Sequence, residues 1–347
     1  MNKIVINAMA KINLGLDVLR RRENGYHDVK MIMQTVDIYD TLEFEKREDS
    51  QIVIKVDAME LPTDENNLIY KATKLLFDKK EAKKALQALP LAEKLYNKIT
   101  TEYAHTEKAK FVSLRNPFED NLCQTIFKDD RILNRTPFDF SSYITTYAYL
   151  LVETGANIDA IPVLETAIEY NPVDVAPRFE LCEVYKLIRN KRMVIEVTRD
   201  TLKVASSPIA IARCYANIGY ILTSFADFED AGVFYTASVM FAPNKGVAFE
   251  MQHLSDLKGS PIIRPTQQQL INTMKKYDIE FGPDKTVIEV CAQLSSYFLS
   301  RKDFPNALQA LKMTYNLTRD EHVKELILKI DPNSPMFRPA QDAAPQQ

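Results

Sequence analysis

Glycine is scarce in this sequence. Only 8 of the 347 residues are glycine, whereas average usage of roughly 7% would give about 24. A loop that wraps phosphate groups depends on glycine, because its backbone must approach the ligand closely and adopt left-handed conformations. The shortage therefore disfavours a phosphate-binding loop and favours helices.

An excess of positive charge is also lacking. Lys and Arg together number 44 and Asp and Glu 47, which gives a formal net charge of -3. A protein that neutralises several phosphates of a nucleic acid or an anionic membrane needs basic clusters, and this sequence has no long basic block. We therefore expect neither a nucleic acid nor a membrane as partner. A protein or a small molecule fits the composition better.

Paired cysteines and long apolar runs are absent as well. The four cysteines lie far apart, with no C-x-x-C spacing and no histidine near enough to complete a zinc site. We predict buried, reduced thiols and no metal. No apolar run approaches the roughly 18 residues of a membrane span, and the first residues do not form the apolar core of a secretion signal. The expected location is the cytoplasm.

Two hydrophobic periods divide the chain near residues 78 to 84. Residues 1–78 alternate with a period of two over 4–19, 35–45 and 51–56, which predicts strands. Pro62-Thr63-Asp64-Glu65 then supplies the capping residues for a helix that ends near 78. The first region is predicted to be a small α+β segment.

The period changes to 3.6 after residue 78, which predicts helices. Residues 79–140 are expected to be a connector, helical at 81–103 and irregular at 113–140. Residues 141–330 are predicted to form helical hairpins with a final capping helix. The last stretch, 331–347, is too polar and proline-rich to fold alone, and we predict a disordered tail.

An internal repeat is the strongest signal in the second region. Eight positions recur with identical spacing and an offset of 71 residues. The first copy is Tyr147, Ala148, Leu151, Gly155, Ala160, Leu164, Ala167 and Pro172, and the second is Ile218, Gly219, Leu222, Ala226, Ala231, Tyr235, Ser238 and Pro243. This pattern resembles the tetratricopeptide repeat, a helix-turn-helix unit with small residues where its two helices cross. The predicted fold is mainly α, a tetratricopeptide-like solenoid of helical hairpins.

The resemblance implies a groove, lined by the first helix of each hairpin, that binds an extended peptide or a helix of a partner protein. From the register, the side chains predicted to line this groove are Tyr149, Phe179, Glu183, Arg213, Tyr220 and Thr223. An alternative is that Tyr149, Phe179 and Tyr220 pack between repeats and touch no ligand.

The first region carries a second resemblance. The runs AKINLGL at 10–16, RRENGYH at 21–27, QTVDIYDTL at 34–42 and NNLI at 66–69 are similar to the start of 4-diphosphocytidyl-2-C-methyl-D-erythritol kinase, a GHMP kinase family of isoprenoid-precursor synthesis. The resemblance implies that Lys11 assists phosphoryl transfer and that Tyr26 and His27 hold the cytosine ring. From the residues alone, Lys11 is a solvated strand lysine and Tyr26-His27 packs beside a turn.

No glycine occurs between Gly25 and Gly155, so the sequence has no counterpart of the glycine-rich loop with which that family binds ATP. The family's catalytic aspartate has no matching motif either. Our first hypothesis is therefore an interaction scaffold that uses no cofactor. The alternatives are an active kinase that uses ATP and Mg²⁺ to phosphorylate the substrate's 2-hydroxyl, and a module that binds a cytidine diphosphate without turnover.

Overall fold

A computed structural model describes residues 3–21, 27–45 and 68–337. Tyr26, the strand predicted at 51–56 and the end of the predicted tail lie outside the described residues. The chain divides into two compact units, residues 1–80 and 81–347, and each is described by itself.

The first unit contains a two-stranded antiparallel sheet. Strands β1 (Lys3–Arg21) and β2 (His27–Glu45) pair from Lys3 opposite Glu45 to Arg21 opposite His27, with three shifts of register. The strand predicted at 4–19 is present. The other begins eight residues earlier than its predicted start at 35, because residues 27–34 find backbone partners in β1 although their apolar residues do not alternate cleanly.

Helix α1 (Leu68–Glu102) is a single helix of 35 residues that contains Pro90. The sequence pattern predicts two helices here, one ending near 78 and one over 81–103. The intervening residues, KKEAKKALQAL, are strong helix formers without a breaker, and Pro90 removes only one backbone hydrogen bond. Ile99, near the end of α1, is buried in a core cluster with Phe140, Ile144 and Leu164.

Residues 103–139 are more regular than the expected connector. Strand β3 (Ala109–Val112) pairs in parallel with β4 (Ile132–Arg135), and helix α2 (Pro117–Ile126) lies between them in the chain. The Asn116 side chain accepts a hydrogen bond from Glu119 N at 3.0 Å, and Pro117 occupies the first helical position. The irregular segment predicted at 113–140 is corrected accordingly. Strands of four residues are too short to be predicted from an alternation of apolar and polar residues.

The remainder is helical, which confirms the mainly α fold class. The helices are α3 (Phe140–Glu153), α4 (Asn157–Tyr170), α5 (Ala176–Leu187), α6 (Lys191–Leu202), α7 (Pro208–Ser224), α8 (Phe228–Phe241), α9 (Lys245–Lys258), α10 (Gln267–Lys276), α11 (Lys285–Ser300), α12 (Phe304–Thr318) and α13 (Glu321–Ile330), followed by a short 3-10 helix, Pro335–Phe337. Among the described residues, no helix combines the length and apolar character needed to cross a membrane. All four cysteines are buried and free.

Helices α3 to α8 form three hairpins, α3–α4, α5–α6 and α7–α8. The second hairpin packs on the first through α4 and α5, and the third packs on the second through α6 and α7. The small residues predicted at the crossings, Ala148 with Ala160 and Gly219 with Ala231, are buried. Each hairpin turns through one residue in the left-handed region. These residues are Gly155, Arg189 and Ala226, and Lys302 has the same role between α11 and α12.

The last helices do not simply continue this stack. Helices α9 and α10 pack on α8, whereas α11 packs on α12 and on α2. The segment before α11 is fixed by Tyr215 of α7, whose hydroxyl donates to Glu280 O at 3.2 Å and accepts from Gly282 N at 2.9 Å. These two hydrogen bonds attach the segment before α11 to the third hairpin. Helix α13 packs on α12.

Candidate functional site

Four of the predicted groove residues lie where side chains of α5 and α7 contact one another. Arg213 and Tyr220 are on α7, and Phe179 and Glu183 are on α5. Spacings of three and four residues place the members of each helix on one face. We call this site the α5–α7 surface, and it comprises Phe179, Glu180, Glu183, Lys186, Arg213, Asn217 and Tyr220.

Arg213 is held above Phe179. The centre of the guanidinium group lies 4.4 Å from the centroid of the Phe179 ring, a distance at which a cation is attracted to the face of the ring. Phe179 is only 7% exposed, so it belongs to the core and supports Arg213 from below. The Arg213 Nη2 atom also lies 3.8 Å from Glu180 Oε1 and 3.6 Å from Glu183 Oε1.

A second cation continues the network. Lys186 Nζ donates to Glu183 Oε1 at 2.8 Å and lies 5.1 Å from the centroid of the Tyr220 ring. Two carboxylates therefore balance two cations on the surface. Burial raises the pKa of Glu180, partly opposed by the attraction of Arg213.

Asn217 is a member of this surface that the sequence reasoning missed. It lies four residues after Arg213 and three before Tyr220, at the border between the exposed and the buried faces of α7. Its side chain is 4% exposed, and its Nδ2 atom has no hydrogen-bond partner within the described part of the chain. Buried amide groups are normally hydrogen-bonded, so this donor requires an explanation. The helical spacing to Arg213 was a usable signal.

The other two predicted groove residues are placed differently. Tyr149 lies on α3, which packs against α5, and its side chain is 48% exposed. Thr223 is buried, and its hydroxyl donates to Gly219 O at 2.8 Å. Thr223 also interacts with Tyr235 of α8, so it faces the paired helix and is not brought together with the α5–α7 surface.

The residues assigned by the kinase resemblance lie in the first unit. Lys11 is in β1 opposite Thr35, and His27 begins β2 opposite Arg21. Eight residues separate Thr35 from His27, which corresponds to roughly 27 Å along an extended strand. The hairpin therefore does not bring Lys11 and His27 to one point, and Tyr26 lies outside the described residues.

A metal site was not expected. Within residues 3–21, 27–45 and 68–337, no three His, Cys, Asp or Glu side chains are grouped in a way that could hold a metal ion.

Comparison with curated proteins confirms the kinase resemblance for part of the chain. Enzymes described as 4-diphosphocytidyl-2-C-methyl-D-erythritol kinase match from Macrococcus caseolyticus (53% identity over 73 residues, 21% of this chain and 26% of the relative), Lachnospira eligens (53% over 79 residues, 23% and 27%) and Clostridioides difficile (42% over 87 residues, 25% and 29%). The chain thus spans about a quarter of the length of the curated relatives it matches. No family model matches the chain.

Solved structures similar to this chain include two described as tetratricopeptide-repeat proteins. YrrB, a TPR protein with an unusual peptide-binding site, is 11% identical and covers 62% of this chain and 98% of its own, with a TM-score of 0.29. The C-terminal part of a protein from Cytophaga hutchinsonii is 12% identical, with 70% and 98% coverage and a TM-score of 0.29.

Proposed function

We propose that the helical unit is an interaction scaffold that binds an extended peptide segment of a partner protein across the α5–α7 surface. The observation that carries this proposal is the buried, unpartnered Asn217 Nδ2 atom. Along α7, Asn217 lies between the exposed residues Arg213 and Tyr220.

An extended peptide suits this surface because its backbone offers a carbonyl oxygen at each residue. Asn217 Nδ2 is closed to solvent in the free protein, so its side chain would turn outward to donate a hydrogen bond to one such oxygen. An unmet buried donor costs about 1–3 kcal/mol. The ligand would remove that cost, which strengthens binding. Tyr220, 40% exposed, supplies an aromatic face with a polar tip, a type of side chain enriched where proteins bind one another.

The charges of the α5–α7 surface favour a peptide that is recognised through its backbone and not through charged side chains. Glu180 and Glu183 balance Arg213 and Lys186, and the four groups already attract one another. A strongly acidic or basic ligand would have to separate these pairs before it gained any attraction. We therefore expect ligands with few charges and with an apolar or aromatic residue against Tyr220.

The test uses the full chain and a displayed library of short random-sequence peptides. Peptides selected on the wild type are measured by fluorescence anisotropy against Asn217→Leu and Tyr220→Ala. We expect each change to weaken binding by about tenfold or more, in line with roughly 1–3 kcal/mol for a central interface residue.

Tyr297→Ala is the matched control. Tyr297 on α11 is similarly exposed and also lies beneath a cation, since Arg301 is 4.7 Å from its ring centroid. Peptide binding should survive this change. Selected peptides that bind Asn217→Leu and Tyr220→Ala as tightly as the wild type would refute the assignment of the surface.

A second candidate, the kinase activity, is favoured by the identity of about half the matched residues with the curated enzymes. It requires ATP to bind beside Lys11. We expect isothermal titration calorimetry with ATP and Mg²⁺ to detect no saturable heat, because the chain has no glycine between Gly25 and Gly155. Saturable binding that is lost in Lys11→Ala would instead support the kinase.

A further inference from the structure

A cavity of about 180 Å³ lies away from the α5–α7 surface, between α2 and the α11–α12 hairpin. Its walls come from the start of α2, the loop between α4 and α5, the loop before α7, and the facing sides of α11 and α12. We propose that this cavity binds a small, uncharged, mainly apolar molecule that carries one hydrogen-bonding group.

The charged groups of the wall already contact one another, which disfavours a charged ligand. Arg115 Nη2 lies 2.7 Å from Glu119 Oε1, and Arg115 Nη1 lies 3.1 Å from Asp174 Oδ2. The other Glu119 oxygen accepts from Arg115 N at 2.9 Å and from Asn171 Nδ2 at 3.0 Å. The second Asp174 oxygen accepts from Ala176 N at 3.0 Å. Both carboxylates share Arg115 as their cation, so an anion would be repelled. A cation would have to displace these partners and would also lose its hydration.

The rest of the wall indicates that the ligand is mainly apolar and carries one hydrogen-bonding group. Phe118, Leu294, Phe298 and Met313 contribute an apolar lining with two aromatic rings. The Ser206 hydroxyl and the Gln309 amide also line the cavity, and neither has a hydrogen-bond partner within the described part of the chain. Small-molecule sites typically combine such an apolar wall with a few polar groups that fix orientation.

The volume limits the ligand to about one or two small rings. An engineered apolar cavity of about 150 Å³ in another protein binds benzene, and the present cavity is of comparable size. A ligand here would contact α2 on one side and α11–α12 on the other, so it should stabilise the packing of these elements.

Indole is a suitable probe, because the sequence contains no tryptophan and indole fluorescence is therefore free of protein background at long excitation wavelengths. We expect full-length protein to give a saturable blue shift of indole emission with a Kd below about 1 mM, equivalent to roughly -4 kcal/mol. Tryptamine and indole-3-acetate, which add a positive and a negative charge, should bind at least about tenfold more weakly.

Ala310→Leu fills the cavity from α12 and should weaken indole binding by about tenfold or more. Ala248→Leu makes the same change at an exposed position of α9 and should leave binding unchanged. If Ala310→Leu does not fold, Ser206→Ala replaces it, with a smaller loss expected. The proposal is overturned if indole does not saturate at millimolar concentration, if the filled variant binds as the wild type does, or if tryptamine or indole-3-acetate binds more tightly than indole.

Discussion

The ring of Tyr235 in α8 lies directly against the backbone of Gly219 in α7. A Cβ atom at position 219 would stand 2.8 Å from two carbons of that ring, closer than side chains normally approach. The corresponding pair in the first hairpin is Ala148 and Leu164, both fully buried. The two hairpins thus fill the same crossing with different pairs. The third hairpin combines glycine with the large tyrosine ring, and the first combines alanine with the smaller leucine.

Gly219→Ala should therefore destabilise the protein, although alanine favours helices by up to about 1 kcal/mol over glycine. Overpacking a well-filled core typically costs about 1–3 kcal/mol, and Tyr235 has little room to move. We expect the free energy of unfolding, measured by urea denaturation, to fall by about 1–2 kcal/mol.

The double variant Gly219→Ala with Tyr235→Leu copies the pair found in the first hairpin. Gly219→Ala should therefore cost less free energy of unfolding in the Tyr235→Leu background than in the wild type. If Gly219→Ala were as stable as the wild type, the close approach of Tyr235 to Gly219 would not limit the size of the residue at position 219.

The crossing pairs were predictable from the sequence because they depend on local spacing: the 71-residue offset places Ala148 with Gly219 and Leu164 with Tyr235. The βαβ arrangement around α2 and its packing on α11 were not predictable in this way. The β3–β4 pairs join residues 23 positions apart, and strands of four residues leave no periodic signal. Contacts between α2 and α11 join residues more than 150 positions apart, which no local spacing encodes.

The left-handed turns give a second prediction. Ala226 has φ of 60° between α7 and α8, whereas the equivalent position between α3 and α4 is Gly155, with φ of 87°. Only glycine adopts this region without a steric penalty. Ala226→Gly should raise the free energy of unfolding by about 0.5–1 kcal/mol, measured by thermal and urea denaturation.

Gly155→Ala is the reverse control. No atom lies within 4 Å of a Cβ built at Gly155, so its effect reports the backbone alone, and stability should fall by a similar amount. A loss of stability in Ala226→Gly would show that the alanine methyl group contributes more by packing than the turn costs.

Asn217 gives a third prediction, which separates stability from binding. Its Nδ2 atom lacks a partner in the described structure, and replacing an unmet buried polar group by an apolar one of similar shape is neutral or stabilising. Asn217→Leu should keep or raise the melting temperature while it weakens peptide binding. A lower melting temperature would indicate that the amide serves the fold, and the weaker binding would then have a structural cause.

The candidate site could be predicted only in part from the sequence. Helical register identified Arg213, Tyr220 and Glu183 because exposed positions recur every three or four residues. It also suggested Thr223, whose short side chain instead bonds to the preceding turn of its own helix and faces Tyr235. Helical spacing also places Asn217 on the same face of α7 as Arg213, but it cannot show that the Asn217 Nδ2 atom lacks a hydrogen-bond partner in the described structure.

His105 gives a fourth prediction, on the pH dependence of stability. Its Nδ1 atom accepts a hydrogen bond from Phe111 N at 3.3 Å, at the start of the small parallel sheet. This bond requires an unprotonated Nδ1. Its Nε2 atom lies 4.0 Å from Glu169 Oε2, which favours protonation, but burial is the larger effect and lowers the pKa of His105 from 6.5. Lys110 and Arg131 lower it further, whereas Glu169 and Asp129 oppose the shift.

Because the pKa of His105 is lower in the folded state, the unfolded chain takes up a proton first as the pH falls through about 6.5. The contribution of His105 to stability is therefore complete above that pH and is lost below it, until the folded histidine is protonated as well. His105→Asn keeps an acceptor for Phe111 N but cannot titrate, so the free energy of unfolding should fall less between pH 7 and pH 5 than in the wild type. His322→Asn, at an exposed position, is the control and should retain the wild-type slope. An equal slope in His105→Asn and the wild type would show that His105 is not protonated differently in the two states.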